Sequence, residues 1–186
     1  MEPDLINENV ELEPEKSGLW KSAMTYGLYY AIISIAITVA FYATGNMTSK
    51  VSQWLGIAIM IVAVVLIQLA YRKQLGGWMT YGQGLGIAVL SMVCASVITA
   101  IFTFVLYKYI DPGLLDQIRL ATEEQMYQRG LPDDQISAAM AVTSKFQTPA
   151  IIAISAIFSM AFIGLIIGAI GAIFTKKQSP DTIFNS

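Results

Sequence analysis

Histidine is missing from the 186-residue chain, and cysteine occurs once, as Cys94. Metal sites built on imidazole or thiolate clusters, Cys-His nucleophiles and disulfides within the chain are thereby excluded. A single cysteine in an apolar run reads as a small packing residue rather than a reactive or lipidated thiol, and it carries no information about redox compartment. Charge is scarce as well. Only 13% of residues are charged, where soluble domains carry about a quarter. What takes their place is apolar: 55% hydrophobic residues and a mean hydropathy of +0.60. The length suits one domain of packed helices. The formal charge of -2 is small, but the charges stand almost entirely between the apolar stretches.

The chain opens on an acidic leader with Glu2, Asp4, Glu8, Glu11, Glu13 and Glu15 against Lys16, interrupted by Pro3 and Pro14. This composition predicts a disordered tail over residues 1–20. It does not resemble a secretory signal, because the basic residues follow the acidic ones and the next apolar run is too long. A four-span membrane domain is expected over residues 21–177, followed by a C-terminal tail, 178–186. Its spans fall at about residues 23–43, 53–71, 85–107 and 149–174, each near the roughly 20 residues needed to cross hydrocarbon. Each is uncharged through its middle, where a charge costs about 2.5 to 3.5 kcal/mol. A soluble protein has no reason to obey that restriction repeatedly, and apolar helices of this kind would leave large exposed faces.

Basic residues near the span ends are Lys16 and Lys21, then Arg72 and Lys73, then Lys176 and Lys177. All fall on one side of the membrane, and the positive-inside tendency makes that side the cytoplasm, with both termini there. The long segment between spans three and four, about residues 112–147, is not a plain loop. Leu114, Leu115, Ile118, Ala121, Thr122 and Met126 recur at helical spacing after a Pro112-Gly113 start, and Arg129-Gly130 marks a stop. A second short helix follows from Asp133, with Ile136, Ala139, Met140 and Phe146 on one face. The expected fold is therefore an all-α integral membrane protein: four transmembrane helices, with two short amphipathic helices between spans 3 and 4. Those two helices lie flat in the interface or cap the four-helix bundle on the non-cytoplasmic side.

Helices in lipid associate through small residues that let backbones approach. Ala23, Gly27 and Ala31 in the first span and Gly164, Gly168 and Ala172 in the fourth form such stripes. They suit packing inside a monomer more simply than a homodimer or partner interface. The third span carries Ser91, Ser96, Thr99 and Thr103, hydroxyls that line a polar path or, more commonly, bond to their own helix carbonyls. Gln68 and Gln83 are the larger polar groups, both near span ends. Intramembrane carboxylates and midplane helix breaks, the usual marks of a secondary transporter, are not seen. The run from Gly82 to Gly86 lacks the Lys-Ser/Thr of a phosphate loop and reads as the lead-in to span three. Glu123-Glu124 and Asp133-Asp134 read as solvated faces. Acid-base work there would need them to converge with Lys108 or Arg119.

At LGGWMTYGQG, at LYKYIDP, and at the Thr148-Pro149 start and Lys-Lys end of the fourth span, the sequence resembles a family of small bacterial membrane proteins, domain of unknown function 4199 (DUF4199). The resemblance covers about residues 22–177 and rests on Gly76, Gly77, Trp78, Tyr81 and Gln83, then Tyr107, Lys108, Tyr109, Ile110, Asp111 and Pro112. It implies four spans and a place in the cytoplasmic membrane of Gram-negative bacteria, and it brings no activity. From the residues themselves, Lys108 between two tyrosines suits the headgroup layer, and Asp111-Pro112 separates two helices. The leading expectation is a non-enzymatic structural or accessory subunit acting through helix packing and its outer helical cap. The alternative is a small transporter or lipid handler that holds an amphiphile between spans three and four, near Trp78 to Gln83. A membrane enzyme is the third reading. No cofactor or nucleic-acid partner is expected; the lipid bilayer, and a homo-oligomer or membrane protein partner, are.

Overall fold

A computed structural model describes residues 14–177, all in helices and their connections apart from one isolated backbone pairing. The leader through residue 13 and the tail at 178–186 lie outside them. The elements are α1 (Pro14–Ala43), α2 (Lys50–Gln74), α3 (Tyr81–Val105), a π-helical turn (Leu106–Ile110), α4 (Leu114–Gln128), α5 (Asp133–Phe146) and α6 (Pro149–Thr175). Four of these helices are long and apolar enough to cross a bilayer, over Gly18–Ala43, Lys50–Gln74, Tyr81–Ile110 and Pro149–Thr175. The chain is thus a membrane protein by the length and composition of its helices.

The boundaries differ from the sequence expectation where local signals act. Helix α1 begins at Pro14, inside the stretch read as a tail, because proline is tolerated in a first turn whose amides have no helical partner anyway. Helix α3 begins at Tyr81 rather than near residue 85. Thr80 Oγ1 accepts from the Gln83 amide while Gln83 Oε1 accepts from the Thr80 amide, a reciprocal cap that starts the helix one turn early. Between α2 and α3 the Gly77 amide reaches back to the Arg72 carbonyl at 2.9 Å and the Gly76 amide to Lys73 at 3.2 Å. That closure needs positive φ, found at Gly76 (76°) and Gly77 (95°), which is the physical reason for the paired glycines.

Helix α3 is the centre of the packing. It lies against both α1 and α6 along much of their length and touches α2 more briefly; α2 also meets α6, while α1 and α2, neighbours in the chain, barely touch. Glycines explain the two close seams. A Cβ on Gly27 would stand 2.6 Å from the Ser91 carbonyl oxygen of α3, and one on Gly168 would stand 2.8 Å from Ala88 Cβ. Ala23, Ala31 and Ala172 are fully buried, and a Cβ on Gly164 would meet Met92 at 2.9 Å. Both small-residue stripes are therefore covered within the chain. Helices α4 and α5 pack on one another, with Leu114 and Ile136 buried.

Candidate functional site

Gln68 is the largest polar side chain enclosed among the long helices, with no exposed surface. It sits on α2, just over one turn before the Arg72-Lys73 pair. Its Nε2 donates to the Gly84 carbonyl of α3 at 3.1 Å and to the Gly168 carbonyl of α6 at 2.8 Å. The Thr175 hydroxyl lies 3.1 Å from Gln68 Oε1 and 3.0 Å from the Gly171 carbonyl, so its single proton is shared between the two. One amide thus joins three helices, and each of its polar atoms has a partner, the condition under which a buried polar group is tolerated in lipid. Space for it comes from Gly171, where a Cβ would stand 2.6 Å from Oε1.

The surrounding end of the protein is knotted further. Arg72 Nη1 donates to the Thr175 carbonyl at 3.0 Å, and Ser22 Oγ of α1 donates to Gln74 Oε1 of α2 at 2.8 Å. Met79 and Lys177 exchange backbone hydrogen bonds of 2.8 and 2.9 Å, pinning the α2–α3 connection to the end of α6. Lys177 Nζ then lies 4.8 Å above the Trp78 ring, a cation–π contact. The groups around Lys21, Arg72-Lys73 and Lys177 are consequently gathered at one end, as their spacing along the sequence predicts.

The second motif stands at the other end of α3, about 40 Å away at 1.5 Å per residue. There the π-helical turn brings Lys108 over the Phe104 and Tyr109 rings, at 5.1 and 5.4 Å, and the Tyr42 hydroxyl donates to Asp111 Oδ2 at 3.2 Å. Asp111 faces a small pocket of about 230 Å³ shared with Thr48 and Gln117. The motif positions therefore do not converge. Gly76, Gly77, Trp78 and Gln83 shape one end, while Lys108, Asp111 and Pro112 shape the other; Tyr81 opens α3 with its ring exposed.

Two of the remaining polar candidates are occupied locally. Ser96 donates to the Val93 carbonyl at 2.7 Å and Thr99 to Ala95 at 3.1 Å, so these hydroxyls of the third span bond to their own helix. Ser91 Oγ is buried without a hydrogen-bond partner. The one ion pair among the described residues is Arg119 with Asp116, 3.6 Å apart and one turn along α4; Glu123, Glu124, Asp133 and Asp134 pair with no cation there. The seam between α3 and α6, where an amphiphile was expected in the alternative reading, is closed by Gly164 on Met92 and Gly168 on Ala88. Open space lies instead between α1 and α2, in an almost wholly apolar groove of about 470 Å³.

Sequence reading noted Gln68 but not its partners, and it missed Thr175, Ser22 and Gln74 altogether. A glutamine one turn inside a basic pair, on a helix otherwise apolar there, was the signal available. Among known proteins, the model of one family, described as protein of unknown function (DUF4199), matches residues 25–177. No curated protein and no solved structure matches the chain. A match over that much of the sequence, together with four long apolar helices whose motifs secure both ends of α3, places the chain in the DUF4199 family.

Proposed function

We propose that this chain is a non-enzymatic accessory subunit of the bacterial cytoplasmic membrane. Its basic end and both termini face the cytoplasm, and the α4–α5 hairpin presents a docking face on the opposite side. The observation that carries this reading is where the polar and apolar groups are satisfied. The buried Gln68 and Thr175 bond to neighbouring helices, which favours a rigid scaffold over a binding or reaction centre. The hairpin, in contrast, leaves Leu120, Tyr127, Val142 and Phe146 exposed on helices that pack mainly on each other. Large apolar side chains held outside the long helices suit a protein or interfacial partner.

Photo-crosslinking residues placed at Tyr127 and Phe146 test the proposal in native membranes. A discrete protein adduct at both positions, lost when crosslinkers are moved to the exposed polar positions Gln128 and Ser137, is the expected result. Adducts only to lipid, with the purified protein monomeric in detergent, overturn it.

A further inference from the structure

The groove between α1 and α2 is where these helices fail to meet. Its walls include Tyr26, Tyr30 and Ile33 of α1 and Ala63, Ile67 and Ala70 of α2. At one end, one helical turn beyond Tyr26 and Ala70, the Ser22–Gln74 hydrogen bond ties the two helices together. Lys21 and Lys73 flank that bond in sequence; both are exposed, and neither has a carboxylate partner among the described residues. From Ala70 to Ala58 the groove follows α2 for about 18 Å, at 1.5 Å per residue. Half of a hydrocarbon core is roughly 15 Å. The groove therefore runs from the basic end to about the middle of the membrane.

We propose that this groove holds one acyl chain of an anionic glycerophospholipid, with the phosphate at Lys21 and Lys73. The volume of about 470 Å³ is in the range of ligand pockets, roughly 300 to 1,000 Å³. The rim selects against a second helix. Tyr29, Ile33, Val62 and Leu66 are each about half exposed or more along it, and such bulk keeps another backbone from the close approach that helix pairing in lipid needs. A flexible chain can thread between them. The wall itself offers almost no polar surface, so the recognition of a headgroup falls to the two exposed lysines next to the bridging residues.

Native mass spectrometry of the delipidated full chain in detergent, offered equal amounts of dioleoyl phosphatidylglycerol and dioleoyl phosphatidylcholine, tests this directly. The wild type retains one phosphatidylglycerol in preference to phosphatidylcholine, by about fivefold for each lysine. Lys21→Gln with Lys73→Gln abolishes the preference, and Ala63→Trp, which fills the groove, removes both adducts. Leu66→Trp narrows the groove from an exposed rim position and lowers both adducts should Ala63→Trp not fold. Equal retention of the two lipids by the wild type, an unchanged preference in the lysine variant, or adducts that persist in the groove variants overturns the proposal. So does a lipid-free dimer whose crosslinks map to Tyr29 and Leu66.

Discussion

Replacing Gln68 by leucine tests whether the polar knot holds the helices together in lipid. The substitution removes two bonds from Nε2 and a shared bond to Thr175. The groups left behind are not orphaned: the Gly84 and Gly168 carbonyls keep their helical amide donors, and Thr175 keeps the Gly171 carbonyl. The loss is thus the net worth of the bonds rather than a desolvation penalty. Interhelical side-chain bonds in membranes average about 0.6 kcal/mol, so two full bonds and a shared one come to roughly 1.5 kcal/mol. Unfolding by sodium dodecyl sulfate titration in mixed micelles reads that difference. In a double-mutant cycle with Thr175→Val the two losses fall short of additivity by about 0.6 kcal/mol or less. Were Gln68→Leu to unfold within about 0.3 kcal/mol of wild type, with additive effects, the knot would contribute nothing and the reasoning from buried amide bonds would fail.

The same assay separates two glycines of equal composition and opposite surroundings. Gly27→Ala forces α1 away from the Ser91 carbonyl 2.6 Å from the new Cβ and costs about 1 to 3 kcal/mol. Gly56→Ala, inside α2 with nothing within 4 Å of the added methyl, leaves stability unchanged or raises it by up to about 1 kcal/mol. Orientation is read by cysteine labelling in a Cys94→Ala background: with the proposed topology, cysteines at Thr48 and Gln128 react with an impermeant maleimide added outside intact cells, and one at Lys73 reacts only after the cells are opened. Labelling in the reverse pattern inverts the assignment of the two ends.

Much of this was written in local sequence. A helix in lipid has to be uncharged through its middle, so the four long runs announce themselves, and the first helix of the pair between α3 and α6 is delimited by Pro112-Gly113 and Arg129-Gly130 because those residues punctuate backbones: α4 runs Leu114–Gln128, with Gly130 at φ 74°. Small residues at four-residue intervals told that close packing occurs, not against what. Which helices become neighbours depends on complementary shape between segments far apart in the chain, and only the folded structure shows α1 on α3 with a gap beside α2. The partners of Gln68, some 16, 100 and 107 residues away, are non-local in the same way. Hydropathy is additive along the sequence, so it fixed the membrane and the spans; contact is a property of pairs, and the knot, the closed α3–α6 seam and the open α1–α2 groove were decided only when the helices met.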